Sequence, residues 1–407
     1  MTETVTIGAL GAGGDGVVET GGRAFVPFTL PGETVEIERH GNRGRLTRIV
    51  APSPERVDPP CRHFGVCGGC ALQHMKRAAY LAWKRDVVLN SLRLHGVEAT
   101  VAPVIAAETG SRRRATFSAV RTAAGVVLGY NQRRSTEIVA VEECPVLAPA
   151  IVSRVPALKD IAAIAIKRRR RARITVLLAD NGLDIALDGG GRLDRTQIER
   201  LGAFAADPSL ARLTVERETI FINRRPTIAA DGAALLPPPA GFVQAVPAAE
   251  QALAEAVLAH VGEAAPVADL FAGIGTFALR LARRAPVTAV DGDAALLDAL
   301  DAAARTATGL KPVTTRRRDL FVNPLAATEL DAFGAVVFDP PTAGAKRQAE
   351  TIAQSGVPRV AAVSCNPATL ARDARILIDG GNRLTGVQPV DQFLWSADIE
   401  VVATFER

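Results

Sequence analysis

V-A-D-L-F-A-G-I-G-T-F-A-L, residues 267–279, reads as a short apolar strand that runs into a glycine loop and then a helix. Gly273 and Gly275 let the backbone approach a ligand more closely than a side chain would allow. Asp291 ends the next strand-like run, V-T-A-V, 22 positions after Asp269. A carboxylate there can accept hydrogen bonds from both hydroxyls of a ribose. The loop lacks the third glycine of a pyrophosphate-binding turn. A nucleoside without phosphates, such as S-adenosylmethionine, therefore suits it better than NAD. Asp269, Phe271, Gly273, Gly275 and Asp291 are the expected cofactor residues, and Asp319, after a third strand-like run, could meet the adenine amino group.

Strand and helix alternate from Ala248 to the C-terminus, which implies a doubly wound parallel sheet and an α/β class. The P-P-P run at 237–239 marks the start of this unit, so its expected span is 239–407. Residues 4–50 alternate apolar and polar positions between Gly and Pro punctuation, the pattern of a small antiparallel barrel spanning 1–55. Gly11, Gly13 and Gly16 spell G-x-G-x-x-G there, but no helix pattern follows to receive a phosphate. Glycines in barrel turns are the better reading. A linker ends at Pro60, and residues 112–230 carry further strand-like runs, giving a β-rich central domain over 56–238. Within it a helix is expected over 76–95, with Tyr80, Trp83, Val87 and Leu94 on one face, available to pack on the catalytic unit.

Hydrophobic residues make up 48% of the chain and no apolar run could span a bilayer, so a membrane protein is excluded. The N-terminus lacks a secretory pattern, and a cytoplasmic monomer is the expectation. A net charge of +5, carried mostly by arginine, permits a polyanionic partner. Arg112, Arg113 and Arg114 precede a strand, and only the family resemblance set out below implies RNA contact for them, whereas the run Lys167–Arg171 is equally well a solvated face. Few aromatics are available for base stacking, and Phe242 is the one singled out. Cys61, Cys67 and Cys70 form C-x5-C-x2-C, with Cys144 in a later C-P. Four such thiolates suit either zinc or an iron–sulfur cluster, and spacing alone does not choose.

V-V-F-D-P-P (336–341) and V-A-A-V-S-C-N-P (360–367) are buried-type strands that deliver Asp339 and Cys365 to the carboxyl edge of the sheet. Pro367 opens a helix, and the field at its N-terminus is expected to favour a Cys365 thiolate. Beside a methyl sulfonium, a thiolate can add to C6 of a uracil and make C5 nucleophilic. A carboxylate must then take the C5 proton, and Glu400 is the candidate. A cytosine-C5 enzyme shares the adduct but leaves the late Glu without a task. An RNA-binding assembly factor with weak catalysis is the non-enzymatic alternative.

The glycine loop, D-P-P, S-C-N-P-A-T-L-A-R-D (364–373) and I-E-V-V-A-T-F-E-R (399–407) together resemble the RNA uracil-C5 methyltransferase family, over essentially the whole chain. The resemblance implies a class I, Rossmann-like methyltransferase domain preceded by a TRAM barrel, to which residues 7–38 are similar. It implies Cys365 as nucleophile, Glu400 as base and Asp339 as a residue positioning the uracil near the cofactor. Phe242 and Gln244 match the family's F-x-Q element beside cofactor or base. Cys61, Cys67, Cys70 and Cys144 match a branch that carries a [4Fe–4S] cluster, and large-subunit (23S) ribosomal RNA is implied as target ahead of tRNA. Three positions depart from the pattern: Thr342 where Arg is usual, Val246 for Asn, and Asp398 for His.

Overall fold

The computed structural model describes residues 2–19 and 21–407. Its largest sheet has eight strands: β1 (Ile105–Ala106), β2 (Val267–Leu270), β3 (Val287–Asp291), β4 (Val313–Arg317), β5 (Ala335–Phe338), β6 (Arg359–Ser364), β7 (Arg383–Asp391) and β8 (Glu400–Glu406). They lie in the order β4-β3-β2-β5-β6-β8-β7-β1, and β4 through β6 are parallel. β8 runs antiparallel to both of its neighbours, β6 and β7. The chain winds outward from β2 to β4 and then returns to β5 on the other side. That reversal opens a crevice beyond the carboxyl ends of β2 and β5, where ligands bind in such sheets. Apolar layers on both faces explain why strands such as β5 and β6 are near-continuous runs of Val, Ala and Phe.

The segment 2–51 curls into a six-stranded sheet around Val5, Ile7, Val18, Ala24, Val26, Val35 and Ile37. Gly11 and Gly13 fall in the turn between the strands Ala9–Leu10 and Gly16–Val18. A Cβ on Gly16 would stand 2.1 Å from the Thr29 hydroxyl, so a packing requirement, with no phosphate, accounts for this glycine. A seven-stranded sheet spans Arg114–Ile222, covered by the helix Val155–Ala165.

The helix α1 (Arg77–Leu94) packs against the catalytic unit, where Val88 and Leu92 join its core. Its buried face differs from the expected one. Tyr80, Lys84, Val88 and Leu92 face inward, whereas Leu94 is 85% exposed. The apolar count missed this because a lysine anchors the face. Lys84 Nζ lies 2.5 Å from Asp391 Oδ1 with both side chains wholly buried, and Tyr80 donates to Asp391 Oδ2 at 2.7 Å. Among the described residues no helix is long and apolar enough to cross a membrane.

Candidate active site

The crevice at the sheet reversal is a cavity of about 900 Å³. Phe271, Gly273, Asp291 and Asp319 line one part, and Gln244, Asp339, Cys365 and Glu400 another, with Phe242 also on the wall. The glycine loop follows β2 with Phe271, Gly273 and Gly275 all at positive φ. Gly275 is packed from behind, because a Cβ there would meet Leu300 at 2.3 Å, while Gly273 has open space on its ligand side. Asp291, ending β3, accepts the Gly273 N–H at 2.9 Å and so ties the loop to the neighbouring strand. Asp319 accepts from the amides of Phe321 and Val322, and the Phe321 ring packs on Phe271 at 5.3 Å. These are the residues that would hold the nucleoside. An open backbone cradle and two partly engaged strand-end carboxylates fit it.

Of the expected cofactor residues, Gly275 is absent from the cavity wall, and so is Asp269. Asp269 is fully buried behind the loop, and no side chain among the described residues hydrogen-bonds its carboxylate. Burial, with Asp339 and Asp291 nearby, pushes its carboxyl well above the ordinary range, which favours the neutral form.

Cys365 lies between β6 and the helix Pro367–Asp379, whose N-cap Asn366 accepts the Ala368 N–H. The expected thiolate-favouring field does not win here. Burial raises the Cys365 thiol, the Glu400 and Asp339 carboxyls raise it further, and the hydrogen bond with Thr342 only partly opposes them. Thr342, in place of the usual Arg, puts its hydroxyl 3.4 Å from the Cys365 sulfur. Glu400, the candidate base, is buried at the start of β8. Burial and the Asp339 carboxyl raise it to about 8, and Asp339 itself is raised by burial to about 7. Oε1 of Glu400 accepts from Gln392 at 2.8 Å, while Oε2 is buried with no partner among the described residues.

Gln392 was not marked by any motif. It bridges Glu400 to Gln244 Oε1 at 2.7 Å, and Gln244 in turn donates to Asp339 at 3.3 Å. Only the tertiary fold exposes it, since Gln244 and Gln392 come from opposite ends of the catalytic unit. Val246 is the N-cap of the helix α2 (Pro247–Val261) and makes no side-chain cap, so that departure removes a capping hydrogen bond and no cavity group.

The arginine run divides. Arg113 is buried, donating to Glu250 at 2.6 Å and to the Gln244 carbonyl at 3.1 Å, so it clamps the Gln244 segment and is withdrawn from RNA. Arg112 and Arg114 line a second cavity and are absent from the wall of the first. Arg114 nevertheless lies 5.7 Å from the centre of the Phe242 ring, which is 56% exposed.

That second cavity, of about 350 Å³, is lined by Cys61, Cys67, Cys70 and Cys144 together. Burial raises Cys67, Cys144 and Cys70, the last to about 12, against amide hydrogen bonds to Cys67 and Cys144. Among the described residues no three His, Cys, Asp or Glu side chains come together so as to hold a metal ion. The expected single-ion alternative, zinc on four cysteines, is therefore not formed by these side-chain positions. Asp398, at the family's His position, accepts from Ser396 and lines this cavity, away from the catalytic wall.

A doubly wound sheet with an open glycine loop and a strand-end acid defines a Rossmann-like, S-adenosylmethionine-binding methyltransferase. Comparison with known proteins narrows this. No protein-family model matches the sequence. An uncharacterized RNA methyltransferase of Rhizobium meliloti is 52% identical over 100% of both chains. The 23S rRNA (uracil(1939)-C(5))-methyltransferase RlmD of Edwardsiella ictaluri is 36% identical over 99% of this chain and 95% of its own. The solved tRNA (uracil-54, C5)-methyltransferase of Pyrococcus abyssi, in complex with S-adenosyl-L-homocysteine, superposes with a TM-score of 0.75 at 22% identity, covering 99% of this chain and 100% of that one. The chain belongs to the RNA methyltransferase family of these relatives.

Proposed function

We propose that this RNA methyltransferase acts on C5 of a uracil in 23S rRNA through a transient bond from Cys365 to C6 of the base. One observation carries the reading: a cysteine, a buried and a half-buried carboxyl and a glutamine share a single cavity with the glycine loop of the cofactor site. Bound S-adenosylmethionine supplies the methyl group that the base takes up. Gln244 and Asp339 orient the base. Cys365 reacts as the thiolate, adding to C6 and placing enolate electron density on C5, the carbon that becomes methylated. Glu400, through Oε2, takes the proton from C5. The C5–C6 double bond re-forms and expels the sulfur as thiolate, and loss of the proton from Glu400 to solvent restores the enzyme. The choice of 23S rRNA rests on the similarity to RlmD. The curled N-terminal sheet, similar to a TRAM barrel, is inferred to bind the RNA.

The four clustered cysteines are further inferred to hold a [4Fe–4S] cluster. A cubane gives each sulfur its own iron, so its ligands surround a volume without converging on one point. Sulfurs lining one cavity, two of them with amide hydrogen bonds, fit that requirement. When bound, the cluster would supply a crosslink between residues 61–70 and Cys144. Iron and acid-labile sulfide measured on anaerobically purified protein test this, and their absence would remove the assignment.

The test of the main proposal is nucleoside mass spectrometry of 23S rRNA from a strain lacking the gene, complemented with wild type or Cys365→Ala. Loss of 5-methyluridine, restored only by wild type, is the expected result. Restoration by Cys365→Ala would defeat the covalent mechanism, and loss from tRNA alone would move the target.

A further inference from the structure

Gln392 is 1% exposed, one residue past the end of β7, and its amide orientation is set by the backbone. The Ala245 N–H reaches the Gln392 side chain at 3.1 Å. A backbone N–H can only donate, so the amide oxygen of Gln392 must face it and the NH2 must face away. That NH2 meets Gln244 at 2.7 Å and Glu400 at 2.8 Å. Having only hydrogens to offer, it requires an oxygen from each. Gln244 must therefore present Oε1 to Gln392 and turn its own NH2 toward Asp339 and the cavity. The polarity of one backbone amide is thus relayed through two glutamines to the cavity wall. The same NH2 occupies Oε1 of Glu400 and leaves Oε2 as the oxygen with no partner among the described residues.

Uracil carries a carbonyl at C4 and cytosine an amine. A wall that offers N–H accepts the first and leaves the second donor facing donor, buried and unpaired. Building on the uracil-C5 reading above, we propose that Gln392 is a positioning residue that locks the Gln244 amide with its hydrogens toward the base, so that the site selects the C4 carbonyl of uracil against the C4 amine of cytosine. Arg113 holds the backbone carbonyl of Gln244, which fixes the segment and leaves the side-chain amide orientation to Gln392.

Two substitutions separate this role from simple packing. Gln392→Met keeps the bulk and removes the polarity, so only the longer contact with Asp339 remains to orient the Gln244 amide. Gln392→Glu offers only acceptors when ionised and favours the reversed amide. The probes are two 23S rRNA transcripts that differ only in U or C at the nucleotide methylated by wild type. The measured quantity is the inhibition constant of the C transcript divided by KM for the U transcript. Relative to wild type this ratio is expected to fall roughly tenfold or more in Gln392→Met, and further in Gln392→Glu. The dissociation constant for S-adenosylmethionine should stay as in wild type. A purely structural role would weaken both transcripts together and leave the ratio unchanged. A ratio within about twofold of wild type in the folded Gln392→Met protein overturns the inference. Wild-type protein that methylates no uridine in 23S rRNA would instead sink the parent reading, and this inference with it.

Discussion

Glu400 and Asp339 keep carboxyl groups where water is scarce, and their chemistry follows from that. A base with a pKa near 8 is mostly protonated at neutral pH, so release of the methylated base should accelerate as pH rises through about 8. Single-turnover release rates across that range check this. Glu400→Gln leaves the hydrogen-bonding shape and removes the base. It should accumulate a denaturation-resistant protein–RNA adduct, seen as a shifted band on a denaturing gel, with turnover lowered by about 10²–10⁴-fold. Unchanged turnover without adduct would remove Glu400 from that role. Both carboxyls also shape stability. The folded state raises Glu400 from 4.5 to about 8 and Asp339 from 3.8 to about 7, so it binds these protons more tightly than the unfolded chain. Their contribution is complete below the unfolded values near 4 and disappears as pH rises toward 8. Denaturation midpoints of wild type and Glu400→Gln should therefore diverge in favour of the variant as pH rises through this window.

Elements matter here chiefly at their ends. The loop after β2 is forced into positive φ at Gly275, with Leu300 directly behind it. Gly275→Ala should cost about 1–3 kcal/mol in stability and weaken S-adenosylmethionine binding, measurable by urea unfolding and calorimetric titration. At the other margin of the sheet, α1 is fastened by Lys84, whose ammonium is pushed down by burial and supported by Asp391. Lys84→Met strands a buried carboxylate and should cost about 3–5 kcal/mol. The double variant with Asp391→Asn should cost less than the sum of the single changes, a non-additivity that a double-mutant cycle would measure. Lys84 also donates to the carbonyls of Phe393 and Asp398, so the same helix steadies the segment that leads into Glu400.

Seen whole, two cavities share one connecting segment. Asp391 and Gln392 begin it beside the catalytic wall, Phe393, Leu394, Ser396 and Asp398 line the cysteine cavity, and Glu400 returns it to the catalytic wall. The cysteines themselves come from a loop near the N-terminal sheet and from the edge of the central sheet, so their cavity sits where three parts of the chain meet. Cys144→Ser should lower the unfolding midpoint and slow methyl transfer while S-adenosylmethionine binding is retained. Parallel melting, methylation and binding measurements on that variant check the connection. Methylation at the wild-type rate would show that the shared segment transmits nothing between the cavities.

The local signals were strong where chemistry sits at the end of an element. Gly273, Asp291, Asp339 and Cys365 were readable because an apolar strand that leads into a glycine, acid or cysteine before a helix places that residue at the carboxyl edge of a parallel sheet, whatever lies further away. Glu400 and Gln244 were legible only through family resemblance, since nothing in their neighbours distinguishes them from ordinary strand and loop residues. Tertiary structure alone decided burial and pairing. It withdrew Asp269 behind the loop, turned Arg113 inward to Glu250, raised Cys365 where a helix terminus was expected to lower it, and brought Gln392 between Gln244 and Glu400. The reason is physical. Periodicity and turn chemistry act over a few residues, whereas the charge state and orientation of a buried side chain depend on partners that may stand more than three hundred positions away, as Lys84 and Asp391 do.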